Sequence, residues 1–399
     1  MSDHNNILIR VSGTDRPGIT AGLLSILASE GGEVLDMEQV VVRDHLMLSL
    51  LVSLPERSTA LKDLLFFGWE RSITIEFDVV ESDPEPPARI RHAVTVLGEG
   101  LSAMALAGVA EAIAGGGGNI DRIFRLSRYP VYSYELVVSG GDVSEMRPRL
   151  LQAAADHRID VAIQREGLER RAKRLVLIDV DSTLIQDEVI DLLAEEAGIT
   201  DQVAAITERA MAGELDFGQA LAERVGLLAG LDVGALERVR AKVRLTPGAR
   251  TFVRTLHRLG YVVAAVSGGF SFFVDELGSD LGLDHVFSNT LEVADGVVTG
   301  KLAGTIVDRA RKADILREVA AREAIPVSQT VAVGDGANDL DMLEAAGLGI
   351  AFNAKPVVKE VADTSVNVPY LDAILFVLGI RREDVEAADA AGGDATAIT

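Results

Sequence analysis

Apolar positions set the first divisions of the chain. Residues 7–11 read as a strand. Ile19, Leu23, Ile26 and Leu27 fall on one face of a helix over 19–29, and strands over 32–43 and 46–54 follow. A helix over 58–67 and a strand over 72–80 close this first block. The order then recurs: strand 92–97, helix 103–114, strands 119–126 and 132–138, helix 143–156, strand 161–165. Gly22 and Gly31-Gly32 reappear as Gly108 and Gly117-Gly118 at an offset of 86 residues. That is an internal repeat of two βαββαβ units, each about 75 residues long.

From Arg174 the pattern changes. Short, wholly apolar strands at 175–178, 262–266, 330–333 and 348–351 alternate with helices, as in a parallel, doubly wound sheet. Between the first two lies a helix-rich acidic stretch, about 187–244, with no strand pattern, read as an inserted helical cap. Three prolines and three acids in Glu81-Ser82-Asp83-Pro84-Glu85-Pro86-Pro87 mark a linker. The expected domains are 1–81, 88–168 and 172–382, with 383–399 a flexible acidic tail.

Charge and composition remove whole classes of function. With 38 Lys and Arg against 61 Asp and Glu, the net charge is −23, which disfavours nucleic acid and anionic lipid as partners. There is no cysteine, so disulfides, thiolate metal sites and a cysteine nucleophile are excluded. Mean hydropathy is high at +0.24, but the apolar runs are far shorter than the ~20 residues of a membrane span. The polar start, Met1 to Asn6, lacks a basic and then apolar leader, and the expectation is a soluble cytoplasmic protein.

The chemistry-bearing residues sit just beyond the apolar strands, where open α/β sheets bind ligands. Asp179-Val180-Asp181-Ser182-Thr183 follows the first strand, and its paired carboxylates can divide labour as nucleophile or metal ligand and general acid. Ser267-Gly268-Gly269 follows the second and precedes a helix, an anion-binding arrangement that is equally an N-cap. Lys312 lies in a basic helix start, Arg309-Ala310-Arg311-Lys312. Gly334-Asp335-Gly336-Ala337-Asn338-Asp339 ends the third strand. Oxygen donors without a nearby histidine suit Mg²⁺ better than zinc.

These four elements, in this order, resemble the haloacid dehalogenase superfamily of phosphohydrolases, over Arg174 to about Ile380. Within it the chain is similar to the phosphoserine phosphatases. The cues are Asp187-Glu188, Phe217, Arg224, Leu245-Thr246-Pro247-Gly248, and the segment from Gly349 to Pro356. The resemblance implies that Asp179 attacks phosphorus to form an aspartyl-phosphate. Asp181 would serve as acid and then base. Mg²⁺ would be held by Asp179, Asp335 and the backbone carbonyl of Asp181. Ser267, Gly268 and Lys312 would hold the phosphoryl oxygens, with Asn338 and Asp339 positioning phosphate and metal. Arg224 suits the substrate carboxylate and Glu188 its ammonium, with Phe217 beside them; a salt bridge within the cap is the plain alternative for that pair. Phosphothreonine, phosphohomoserine or a sugar phosphate stay open as substrates, and so does an amino-acid sensor with a vestigial phosphatase.

The two N-terminal repeats resemble ACT domains, ferredoxin-like modules that bind amino acids. Gly13-Thr14-Asp15-Arg16-Pro17-Gly18 matches their ligand loop, which implies Asp15 and Gly18 as contacts for a regulatory amino acid such as serine. The second repeat has Gly98-Glu99-Gly100-Leu101 there instead, leaving Gly108 as a ligand or close-packing position. Gly98-x-Gly100-x-x-Ala103 also mimics a dinucleotide fingerprint, but the first repeat shares the layout without that motif, and nucleotide binding is not expected. ACT modules pair across chains, so the resemblance implies a homodimer.

Overall fold

A computed structural model describes residues 4–80 and 90–391; the proline-rich stretch 81–87 and the end of the chain lie outside them. The first repeat runs β1 (His4–Thr14), α1 (Ile19–Ser29), β2 (Glu33–Val42), β3 (His45–Pro55), α2 (Ala60–Arg71) and β4 (Ile73–Val80). Its antiparallel sheet has the order β2-β3-β1-β4. Alternating Leu46, Leu48, Leu50, Val52 and Leu54 point inward from β3 against Ile19, Leu23 and Leu27 of α1, which closes a core of its own. Gly22 lets the helices touch: a Cβ there would stand 2.4 Å from the Phe67 ring.

The second repeat is β5 (Arg91–Gly98), α3 (Ala103–Gly115), β6 (Gly118–Ser127), β7 (Tyr132–Gly140), α4 (Val143–His157) and β8 (Asp160–Arg165), with sheet order β6-β7-β5-β8. All pairings are antiparallel, so the glycines after β5 open no parallel dinucleotide-binding crossover. The chain splits into compact units at residues 88/89, and the second repeat belongs to the larger one. A short α5 (Leu168–Arg171) leads out of it. Arg170 there, only 8% exposed, pairs with Glu135 and Glu166.

The core sheet starts with β9 (Leu175–Asp179), buried at every position. Four helices then form the cap: α6 (Val189–Ala197), α7 (Thr200–Met211), α8 (Phe217–Gly226) and α9 (Val233–Arg240). Asp216 and Gln219 form a reciprocal capping box on α8, and Asp232 caps α9. The cap is stapled at its base, where Ile185 bridges Leu245 and Thr246 donates to the Thr183 carbonyl. The chain continues through α10 (Ala249–Arg258), β10 (Val262–Phe270), α11 (Ser271–Leu281), β11 (His285–Ala294) and β12 (Val297–Ala303). After these come α12 (Arg309–Arg322), β13 (Thr330–Gly334), α13 (Leu340–Ala345), β14 (Gly349–Phe352), α14 (Pro356–Val361) and β15 (Thr364–Val366). Two helices end the described chain, α15 (Ile374–Val377) and α16 (Arg382–Ala391).

The seven strands are ordered β12-β11-β10-β9-β13-β14-β15. The parallel strands β10, β9 and β13 lie side by side. The chain therefore leaves β9 in one direction and returns on its other side, a switch point that opens a crevice at the carboxyl ends. The antiparallel hairpin β11–β12 was not anticipated, although Asp295 and Gly296, both at positive φ, supply its turn. The expected flexible tail is also corrected: its first part is helix α16. Val385 of α16 is buried and Asp389 pairs with Arg254 and Arg258, so packing overrides the polar composition.

Candidate active site

Three strand ends of the switch point converge. Asp179 closes β9 and is 2% exposed; its Oδ1 accepts from Lys312 Nζ at 2.6 Å. Lys312, wholly buried on α12, donates also to Asp339 Oδ1 at 2.7 Å. The second oxygen of Asp339 accepts the backbone N–H groups of Asp335 and Gly336, so this carboxylate is occupied in holding the β13 loop. Gly334 is required beside it, since a Cβ would stand 2.5 Å from the Asp339 carboxyl carbon.

The chain turns sharply after Asp179, with Ser182 at φ 56°. The turn presents Asp181, whose Oδ1 accepts from Val189 N–H at 3.0 Å and whose Oδ2 accepts from Ser267 Oγ at 2.7 Å. Ser267 Oγ in turn accepts from Gly269 N–H at 2.7 Å. Ser182 donates to Glu188 at 2.8 Å, and Thr183 donates to Asp335 at 3.1 Å.

Burial pushes the Asp179 carboxyl up, and the Asp339 charge adds to this, while Lys312 opposes it. Burial alone would strip charge from Lys312, but Asp179 and Asp339 outweigh it and hold the ammonium above its usual range. Asp335 is pushed up to about 6 by burial and by Asp339. Glu188, exposed at the mouth but hemmed in by neighbouring atoms, is pushed up to about 7 by desolvation and by Asp181; water at the mouth screens part of that. Asp179, Asp339 and Asp335 thus share the field of Lys312, while Glu188, Asp191 and Asp181 share that of Arg224. Ligand atoms of Asp179, Asp335 and Asp339 lie within 4.8 Å of one another. The excess of hard oxygen donors and negative charge fits a divalent cation such as Mg²⁺.

The cap supplies the roof. The Phe217 ring would lie 3.1 Å from a Cβ at Gly268, so glycine permits this approach. Among the described residues, Arg224 donates only to the Ala220 carbonyl of its own helix, while its charge interacts with Glu188, Asp191 and Asp181. Asn338 lies half-buried beside Gly336 in the β13 loop. Asn289, 2% exposed, was missed: it donates to the Gly268 carbonyl and accepts from Val307 N–H, both at 2.8 Å, tying the Ser267 loop to the approach to α12. An asparagine inside a strand carries no signature that sequence alone could raise.

The regulatory candidates lie elsewhere. Asp15 and Gly18 are exposed in the β1–α1 loop. Asp15 N–H is anchored to the Asp44 carbonyl, and Gly18 sits at φ 91°, at the start of α1. Gly108 lies inside α3, where a Cβ would meet His157 Nε2 at 2.7 Å, the counterpart of Gly22 against Phe67.

Family comparisons agree with this division. A model of haloacid dehalogenase-like hydrolases matches residues 176–344, and ACT-domain models match 5–78 and 91–164. The phosphoserine phosphatase of Streptomyces coelicolor is 54% identical over 397 residues, covering 98% of this chain and 97% of its own length. The chain belongs to the phosphoserine phosphatase family. The phosphoserine phosphatase SerB2 of Mycobacterium tuberculosis is 49% identical over 96% of both chains. A solved hydrolase of this superfamily from Salmonella enterica serovar Typhi superposes with a TM-score of 0.65 at 30% identity, covering 72% of this chain and 98% of that one. Among the described residues, no helix is long and apolar enough to cross a membrane.

Proposed function

We propose that the protein hydrolyses O-phospho-L-serine to L-serine and phosphate in the cytoplasm, through an aspartyl-phosphate on Asp179. The observation that carries this reading is the pair of carboxylates at the end of β9, one buried against Lys312 and the other held by Ser267 and Val189 N–H. An oxygen of Asp179 attacks phosphorus while the bond to the seryl oxygen breaks. Asp181 gives its proton to that oxygen, and L-serine leaves. Asp181 then takes a proton from water, which attacks phosphorus, frees phosphate and restores Asp179. Lys312 and Ser267 orient the phosphoryl oxygens, joined by the backbone at Gly268 and by Asn338. Arg224 takes the substrate carboxylate and Glu188 the ammonium, while Phe217 covers the site. Asp179, Asp335 and the Asp181 carbonyl would hold Mg²⁺, which when bound neutralises phosphoryl charge.

The ACT modules support regulation by an amino acid, with serine at Asp15 and Gly18 the first candidate. The exposed apolar residues Val34, Leu35, Met37 and Val40 of β2, with Phe66 and Trp69 of α2, support a homodimer through this half. Light scattering at micromolar concentration should give twice the chain mass; a monomer there overturns the dimer. Phosphate release from phosphoserine in the presence of Mg²⁺ tests the activity, and Asp179→Asn should lower kcat by about 10³-fold or more. Wild-type turnover in that variant would defeat the mechanism.

A further inference from the structure

The loop after β5, whose glycines the catalytic reading leaves unused, borders a cavity of about 500 Å³. One wall belongs to the second repeat: Gly98, Glu99, Leu151, Ala155, Arg158 and Ile159. The other belongs to the phosphatase domain: Lys359 of α14, with Ser365, Asn367 and Val368 at and beyond β15. The joint itself is fixed. Asp160, 5% exposed, accepts from the Asn367 backbone N–H and side-chain amide, both at 2.6 Å, so each of its oxygens already carries a bond across the joint. Gln164 donates to the Val377 carbonyl at 2.8 Å.

Three charged groups at the cavity have no hydrogen-bonded partner, although the charge of one of them, Lys359, is felt by Asp160. The side chains of Arg158, Lys359 and Glu99 make no hydrogen bond or ion pair among the described residues. Two cations and one free carboxylate stand over an apolar floor of Leu97, Leu151, Ile159 and Val368. The volume lies within the range of small-molecule sites and exceeds what serine would fill.

We propose that this cavity is an effector site for a zwitterionic amino acid with a sizeable apolar side chain. Its carboxylate meets Arg158 and Lys359, its ammonium meets Glu99, and its side chain covers the apolar floor. This site is distinct from the β1–α1 loop of the first repeat, and it rests on the reading of the protein as an amino-acid-regulated phosphatase. The route to the chemistry is short. Lys359 sits one helical turn beyond Lys355, whose backbone N–H donates to the Asp335 carbonyl at 3.3 Å. A ligand that pulls on α14 therefore pulls on the loop that carries Asp335.

The test is calorimetric titration of the full chain with L-leucine and with L-phenylalanine, alongside Lys359→Gln and Ala155→Phe. Lys359→Gln removes a cation and Ala155→Phe fills the space with the charges intact. At least one amino acid should bind the wild type, lose 10-fold or more in affinity in both variants, and change the rate of phosphoserine hydrolysis in the wild type. Absence of binding, equal binding in the variants, displacement by inorganic phosphate alone, or binding with no change in rate each overturns the site. Phosphate release measured without any amino acid reads the active site alone, so failure of the catalytic reading would be seen separately.

Discussion

On the sheet side of the catalytic cleft, the charged groups are tied to fixed partners. On the cap side, Glu188 and Arg224 form no hydrogen bond or ion pair with each other among the described residues. Lys312 holds Asp179 and Asp339, Asp339 holds the β13 loop, and Ser267 holds Asp181. Among the described residues, the Glu188 side chain bonds Ser182 alone, and Arg224 only its own helix. The contrast follows from burial. Ionised groups deep in a sheet must be paired or they cost several kcal/mol. Groups at a solvent-facing mouth can wait for a ligand. On the proposed reading, the half that performs chemistry is pre-organised, and the half that selects the substrate is completed by it.

The strongest way to break this comparison is Lys312→Met. It leaves two buried carboxylates unpaired, so stability should fall by about 3–5 kcal/mol and activity should disappear. Thermal unfolding and turnover near wild type would show that the wiring is dispensable. Arg224→Ala should act differently. Loss of a charge-assisted fork at the mouth should raise KM for phosphoserine and lower kcat/KM by roughly 10²-fold, while Tm moves little. A fall in kcat with KM unchanged would place Arg224 on the chemical side.

Asn289→Ala sharpens the boundary between the halves, because it unpairs Gly268 C=O and Val307 N–H. It should cost about 1–3 kcal/mol and reduce kcat about 10-fold, with KM near wild type. Unchanged kcat would make Asn289 purely structural. The smallest effect concerns pH. Glu188 is raised to about 7, so it becomes neutral as pH falls through that value and, in the proposed role, loses its pull on the substrate ammonium. KM should rise several-fold from pH 8 to pH 6, and Glu188→Gln should flatten the profile. The sign for folding is opposite: a raised carboxyl costs stability as pH climbs from the usual carboxylate range toward 7. Stability of Glu188→Gln relative to wild type should accordingly improve over that interval.

Much of this was legible in the chain. Short, wholly apolar runs such as 175–178, alternating with helices, read as strands buried on both faces, and carboxylates just beyond parallel strands gather at one sheet edge. Asp179, Asp181, Ser267 and Asp335 were nameable for that reason, and Lys312, in a basic helix start, only through the resemblance of the ordered set; hydrogen bonds link Lys312 to Asp179, Ser267 to Asp181 and Thr183 to Asp335. The hairpin β11–β12 escaped because its outer strand carries half-exposed and polar residues, though the Asp295-Gly296 turn was a usable signal. Asn289 and the α16 helix escaped because their roles depend on what packs beside them. The Asp160–Asn367 joint links residues 207 apart, which no local pattern can show.

That joint changes what counts as a module here. The first repeat closes its core with residues from its own segment, Ile7 to Ile73. The second contributes Leu97, Leu126, Val131 and Ala162 to the same apolar cluster as the catalytic sheet. Gene fusion or proteolysis could therefore exchange or remove the first repeat at 88/89 without opening a core, whereas a cut near residue 170 would leave raw apolar surface on both fragments. The second copy keeps an inner core of its own, Val94 to Ile163, but shares its other face with the catalytic sheet, so the two halves of this duplication are expected to diverge under different pressures.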